Sequence, residues 1–276
     1  MAGRIAFQGE LGAYSHQACL QARPDMDPVP STTFDDVVEK VACGDVDLGM
    51  LAVENSTYGR VADVHSLLPK SGLHIVDEAF VRVHVNLLGV PGAKLADITA
   101  AHGHVVILPQ CAGFLRKHGI RGMVSSDNAR AAREVAEAGD TSKAALASTL
   151  AASIYGLDVI AAQIEDQANN TTRFLVMSRT PDLTRRSDHM MTTFTFRVRN
   201  IPAALYKAMG GFATNGVNMT KLESYMVGGS FTATEFYADI EGHPQDAGVA
   251  RALEELAYFT SSLEVLGVYP ADRARE

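Results

Sequence analysis

Through the first 160 residues, a short apolar run, a polar turn and a helix-spaced stretch follow one another repeatedly. That alternation leaves few architectures open, because strands and helices in turn build a sheet with helices on its faces. Arg4-Ile5-Ala6-Phe7 reads as the first strand, over 4–8, and Gly9-Glu10-Leu11-Gly12 as a turn before a helix that starts near Ala13. Phe34, Val37, Val38 and Val41 fall at i, i+3, i+4 and i+7, which predicts a helix from Thr33 to Cys43 capped by Thr32 or Thr33. Leu48 to Val53 is strand-like, Glu54 to Arg60 is a polar turn, and helical spacing resumes from Val61 to Leu68. Leu73 to Leu88 is extended. Further units follow Val90-Pro91-Gly92: strands at 98–101, 122–125 and 143–147, with helices at 110–117 and 129–137. The fold class is α/β. Two blocks, 1 to about 78 and about 88 to 160, predict two lobes, with hinge crossovers near 73–88 and 159–178 and a small-molecule cleft between them.

After Thr180-Pro181 the pattern changes. Residues 182–188 are short, polar and charged, as in a linker. From Met190, Phe194, Phe196 and Val198 alternate with polar residues, as in a half-buried strand. Pro202 opens a helix, Gly228-Gly229 joins two strands (218–227 and 230–240), a helix follows through Val249, Leu253 and Leu256, and Leu263 to Tyr269 closes the set. The order β-α-β-β-α-β is that of a ferredoxin-like split unit, and it carries no catalytic set.

Composition removes several functions. With 276 residues there is room for one large domain or two ordinary ones, and 47% apolar content is ample for cores. A net charge of −8 argues against a nucleic-acid partner held through phosphates, while leaving room for a local cationic pocket. Cys19, Cys43 and Cys111 form no CxxC pair, which points to a reducing compartment and away from zinc or disulfides. His102 and His104 share a side of any strand, but no carboxylate or cysteine stands at ligand spacing, so no metal is expected. Met1 runs straight into a strand rather than a signal segment, and no apolar stretch approaches the ~20 residues of a membrane span. The expectation is a cytoplasmic protein with no membrane partner.

The most chemical stretch is Asn169-Asn170-Thr171-Thr172-Arg173-Phe174, set directly before the apolar run Leu175-Val176-Met177. It is either a rigidly held site for a small anion or an ordinary Asn-rich turn with Arg173 in a surface ion pair. Two other turns share its position beside a strand. Gly9 to Gly12 could cradle an anion at a helix N-terminus. Asn55 and Ser56 stand at the carboxyl end of a strand, where Ser56 or Thr57 could equally cap the next helix.

Taken together, Asn170-Thr171-Thr172-Arg173-Phe174, Val53-Glu54-Asn55-Ser56-Thr57-Tyr58-Gly59 and Gly12-Ala13-Tyr14-Ser15 resemble prephenate dehydratase. The tail resembles the amino-acid-binding ACT domain fused to that enzyme. Pro202-Ala203-Ala204-Leu205 is similar to its Gly-Ala-Leu stretch, and Asn218-Met219-Thr220-Lys221-Leu222-Glu223-Ser224 to its Asn-Leu-Thr…Glu-Ser stretch. The resemblance implies a two-lobed, type-2 periplasmic-binding-protein-like catalytic domain over 1–184 (lobes about 1–78 plus 160–184, and 79–159) and an ACT regulatory domain over 190–276. It implies a cofactor-free lyase that converts prephenate to phenylpyruvate, carbon dioxide and water in phenylalanine biosynthesis. Phenylalanine would be the effector, and the chain would pair as a homodimer or homotetramer through ACT domains. Thr172 would be the donor to the leaving oxygen. Ala13, Tyr14, Ser15, Asn55, Ser56, Gln110, Asn170, Thr171, Arg173 and Phe174 would bind substrate, with Arg173 either gripping a substrate carboxylate or bracing its own loop. Ala203, Ala204, Leu205, Asn218, Met219, Glu223 and Ser224 would bind the effector. An arogenate dehydratase, or a two-lobed binding protein without turnover, remains open. The sequence departs from the family pattern at Gly103, where a serine is usual, at Ala203 in place of glycine, and at Tyr225-Met226 in place of Arg-Pro.

Overall fold

The helical spacing after Thr33 becomes a helix because its first turn is closed from both sides. Thr33 Oγ1 accepts from the Asp36 N–H, and the Asp36 carboxylate accepts from the Thr33 N–H, each at 3.0 Å. Such a cap is worth about 1 kcal/mol. Val37, Val38 and Val41 then turn inward, and Gly44 ends the helix in the left-handed region. The chain, seen in a computed structural model, is described over residues 3–199, 201–226 and 233–275. It divides into two compact units, Met1–His65 with Ala79–Phe174, and Ser66–Glu78 with Leu175–Glu276.

In chain order the elements are β1 (Arg4–Gln8), α1 (Tyr14–Ala22), β2 (Asp27–Ser31), α2 (Phe34–Cys43), β3 (Leu48–Asn55), β4 (Gly59–Arg60), α3 (Ala62–Leu67), β5 (His74–Arg82) and β6 (Asn86–Gly89). Then come β7 (Ala100–His104), α4 (Ala112–Lys117), β8 (Arg121–Ser125), α5 (Asn128–Ala138), β9 (Lys143–Ala147), α6 (Thr149–Tyr155), β10 (Asp158–Ala161) and β11 (Thr171–Ser178). The first unit holds two sheets. In one, β1 pairs in parallel with both β2 and β3, and β4 folds back on β3. The other has five strands in the order β10-β6-β9-β7-β8. Its core joins Val85, just before β6, and Leu87 of β6 to Ile107, Cys111, Leu115 and Leu146.

The second unit runs β12 (Met190–Val198), α7 (Ala204–Thr214), β13 (Met219–Met226), β14 (Ala233–Glu241), α8 (Ala247–Phe259) and β15 (Thr260–Pro270). The β-α-β-β-α-β order therefore holds. Antiparallel pairing gives β13-β14-β12-β15, and Phe194, Phe196, Phe212 and Leu256 fill the space under the helices. The start of β5 joins this sheet beside β15 at Gly267↔Ile75. A Cβ on Gly267 would stand 2.2 Å from the Ile75 carbonyl oxygen, so only glycine lets these backbones meet.

Several expectations are corrected. No periodicity in the sequence marks Asp27-Pro28-Val29-Pro30-Ser31, yet it is a strand, tolerated despite two prolines because it pairs only with β1. The strand expected at 98–101 lies at Ala100–His104, which sets Gly103 in parallel pairing with β8. The turn at 54–60 is a small hairpin, and the helix at Pro202 begins only at Ala204. Residues 66–78 and 175–184 stand with the second unit. The expected Gly228-Gly229 turn lies outside the described residues.

Candidate active site

β3 and β11 bring Asn55 and the Asn170–Phe174 stretch side by side. The Ser56 N–H donates to the Thr171 carbonyl at 2.9 Å, Ser56 Oγ donates to the Asn169 carbonyl at 2.6 Å, and the Thr171 N–H donates to Ser56 Oγ at 2.9 Å. These bonds lock two loops together. Asn55 and Ser56 thus stand beside the 170–174 stretch, on neighbouring strands. The group that arrives from the other sheet's lobe is Gln110, in the tight turn Leu108–Cys111 after β7.

Four amide and hydroxyl side chains meet there. Asn55 Nδ2 donates to Asn170 Oδ1 at 2.7 Å and to Thr172 Oγ1 at 2.9 Å. Asn170, buried to 1% exposure, donates through Nδ2 to Gln110 Oε1 at 2.6 Å. Gln110 Nε2 in turn donates to the Val106 carbonyl. Asn55 Oδ1 accepts from the N–H groups of Thr57 and Tyr58 at 3.0 and 2.9 Å, so Asn55 closes the hairpin turn, and the helix that Ser56 or Thr57 was expected to cap starts only at Ala62. Thr172 is partly exposed.

Strand alternation sends the neighbouring residues elsewhere. Arg173 is 5% exposed and stands 4.0 Å from a Glu54 carboxylate oxygen. Of the two roles open to Arg173, this contact is the bracing one. Phe174 is fully buried and backs the strand instead of walling an open cleft. Sequence reasoning passed over Glu54, although it immediately precedes Asn55 in a motif already singled out.

The turn before α1 is built by Gly12, whose φ of +94° excludes other residues without strain. Its N–H donates to His16 Nδ1 at 3.0 Å, and its carbonyl accepts from Ser148 Oγ at 2.7 Å. Ala13 is the N-cap residue of α1 and offers no side-chain cap, and Ser15 is partly buried. Tyr14 donates its hydroxyl to the His84 carbonyl at 2.8 Å, one residue beyond Val83, whose N–H holds the Asn170 carbonyl. Desolvation raises the Tyr14 phenol far above its usual range, which keeps it a donor. Close by, Glu165 accepts from the Val85 N–H and lies 3.1 Å from His84 Nδ1. Burial pushes the Cys111 thiol up to about 12, so it is no nucleophile at neutral pH.

A cleft of about 650 Å³ opens between the two sheets of this unit, lined by Gly9, Glu10, Ser31 and Lys40 on one side and Ser126, Asp127 and Arg130 on the other. Glu10 spans it, paired with Arg130 at 2.8 Å and Arg133 at 2.9 Å. The Arg133 guanidinium leads in holding the Glu10 carboxyl below the usual carboxylate range. The Asn55–Thr172 group does not line this cleft. Gly103 sits in β7, where a Cβ would come within 3.1 Å of Leu146 Cβ, so a serine there would need Leu146 to give way. No group of metal-ligating side chains occurs among the described residues. No helix among them is long and apolar enough to cross a membrane.

The family model of prephenate dehydratase matches residues 5–182, a span that holds every residue of this cluster. The chain belongs to the prephenate dehydratase family. It is accordingly an enzyme, a dehydratase of the lyase class. A bifunctional N-acyl-homoserine lactone acylase/prephenate dehydratase of Komagataeibacter europaeus is 50% identical, over 98% of this chain and 97% of the relative. Arogenate dehydratase/prephenate dehydratase 1 of Arabidopsis thaliana, a chloroplastic protein, is 37% identical over 99% of this chain and 73% of its own. Among solved structures, the prephenate dehydratase of Arthrobacter aurescens in complex with L-Phe superposes with a TM-score of 0.89 at 29% identity, covering 97% of this chain and 90% of that one.

The remaining expected residues fall in the second unit. Ala203 is exposed and left-handed, at φ +61°, just before α7, with Ala204 buried and Leu205 partly so. Asn218 precedes β13, its carbonyl accepting from the Glu241 N–H. Met219, Glu223 and Ser224 lie on β13, where Glu223 stands 3.6 Å from Lys221.

Proposed function

We propose that this chain converts prephenate to phenylpyruvate by decarboxylating dehydration, with the Thr172 hydroxyl as donor to the leaving oxygen. The observation that carries the reading is the Asn55–Thr172 contact at 2.9 Å inside a network braced on backbone groups at both ends. In the reaction the ring C–O bond breaks with its electron pair going to oxygen. The bond to the ring carboxylate breaks as carbon dioxide leaves, and its pair completes the aromatic ring. One proton, drawn from solvent overall, turns hydroxide into water. Aromatisation supplies the driving force, so the protein needs to hold the substrate and stabilise the developing charge on oxygen. No cofactor is required by that chemistry. Asn170, Thr171, Ser56 and the Ala13–Ser15 turn are assigned to the substrate's other oxygens, while Arg173 and Phe174 act from behind the centre.

The second unit is proposed to be an ACT domain that binds phenylalanine around Ala203–Leu205 and Asn218–Ser224, and to pair with its copy in a homodimer or homotetramer. The L-Phe complex of the Arthrobacter relative supports an amino-acid effector. Sedimentation with and without phenylalanine tests the pairing: a monomer in both would overturn it.

The pure protein incubated with prephenate should release phenylpyruvate; with arogenate it should release phenylalanine more slowly or not at all. Preference for arogenate would reverse the substrate assignment. Inertness toward both would mean a binding protein. Because the 50% identical relative is named an N-acyl-homoserine lactone acylase as well, release of a free fatty acid from such a lactone is the assay for a second activity.

A further inference from the structure

We propose that Asn55 is a positioning residue that fixes the direction of the Thr172 hydroxyl, making it a hydrogen-bond donor toward whatever occupies the site. The inference rests on the reading of Thr172 as the donor to the leaving oxygen.

The polarity of the network is set from both ends by groups that cannot reverse. At one end two backbone N–H groups, of Thr57 and Tyr58, point at the same atom of Asn55, which must be its carbonyl oxygen. The Asn55 NH2 therefore faces the other way. At the far end the Val106 carbonyl can only accept, so the Gln110 NH2 faces it and Gln110 Oε1 faces Asn170. Asn170 must then present its NH2 to Gln110 and its oxygen to Asn55. The two assignments, made independently from opposite ends, agree at the Asn55–Asn170 contact. Both Asn55 amide hydrogens are thereby committed, one to Asn170 Oδ1 and one to Thr172 Oγ1.

The consequence falls on Thr172. Its oxygen accepts from Asn55, and that is its one hydrogen bond among the described residues. A hydroxyl that accepts along one direction turns its own hydrogen to another. A free threonine hydroxyl would divide its time among three rotamers and present its oxygen lone pairs to the substrate in some of them. The amide removes the ones that point inward. Withdrawing electron density through the same contact also makes the O–H a better donor. Because Asn170 is buried and Gln110 comes from the other sheet's lobe, the direction is held by the packing of the unit and not by β3 alone.

The test is a double-mutant cycle on the enzyme with prephenate. Asn55→Asp keeps the shape but replaces the donor facing Thr172 with an acceptor, which would draw the Thr172 hydrogen inward. The expected result is a kcat lowered by roughly 10²–10⁴-fold, as for removal of a positioned donor, with KM within about threefold. Asn55→Ala removes the donor without adding an acceptor and should lose less. In the Thr172→Ala background either Asn55 substitution should lower kcat little further, because no hydroxyl is left to direct. A merely structural Asn55 would instead give additive losses and a lowered melting temperature in proportion. Additive losses, or an Asn55→Asp enzyme with kcat near the parent's, overturn the inference. If Asn55→Asp does not fold, the Asn55→Ala cycle decides by the same criterion. Failure of the underlying reading looks different: Thr172→Ala alone would then turn over like the parent.

Discussion

The Gly12 N–H points at His16 Nδ1 from 3.0 Å, and the imidazole lies stacked on Phe7 with ring centres 5.3 Å apart. A nitrogen that accepts from a backbone N–H carries no proton, so His16 is neutral with its hydrogen on Nε2. Burial accordingly pulls the His16 pKa below its usual value. Since the unfolded chain takes up that proton first, stability is complete above about pH 6.5 and is lost as the pH falls below it. Urea unfolding at pH 7.5 and pH 5.5 should show the loss, and His16→Gln should reduce it. Titration of His16 by NMR at or above the ordinary histidine value would contradict this.

Gly12 itself is irreplaceable for two reasons. Its φ is +94°, and an added Cβ would stand 2.8 Å from Ala151 Cα. Gly12→Ala should destabilise the first unit by about 1–3 kcal/mol, read as a lower denaturation midpoint.

Thr172→Ala should lower turnover by roughly 10²–10⁴-fold, with little change in melting temperature because the side chain is partly exposed. Thr172→Ser keeps the hydroxyl and should retain most of the rate. Steady-state kinetics on both variants check the pair, and equal losses would remove the hydroxyl from the mechanism.

In the second unit, Arg275 donates through Nε and Nη2 to the two carboxylate oxygens of Glu78, whose side chain is fully buried. Arg275→Leu takes the guanidinium from that buried carboxylate and should cost about 3 kcal/mol. Differential scanning calorimetry would show it, and an unchanged profile would mean that Glu78 is held well enough by its other contacts.

Ala203 occupies the left-handed region without being glycine. Ala203→Gly relieves that strain, set against the larger freedom of glycine in the unfolded chain, and should stabilise the unit by about 0.5–1 kcal/mol. The same denaturation curves test it.

The elements that were legible share one property: their signals are local. The valines after Thr33 and the alternating phenylalanines from Phe194 state their periods within a few residues, and both became the expected helix and strand. The strand at Asp27–Ser31 was hidden because prolines read as loop, and only its place against β1 makes them acceptable. His102-Gly103-His104 has weak strand propensity and became β7 through pairing with β8 and β9. The site divides in the same way. The motifs containing Asn55, Gln110, Asn170 and Thr172 could be picked out, but the separations of 115 (Asn55–Asn170), 117 (Asn55–Thr172) and 60 (Gln110–Asn170) residues along the chain carry no distance information.

The sequence alone determined the α/β class, the β-α-β-β-α-β order of the tail and the family to which the chain belongs, because each is written in local period or in ordered motifs. Only the tertiary structure decided that Asn55 stands beside Thr172, that Arg173 turns back to Glu54, and which way each amide faces. The reason is physical. A side chain's direction follows from the strand it sits on, and an amide's polarity from the backbone groups that fold against it, neither of which any residue specifies by itself.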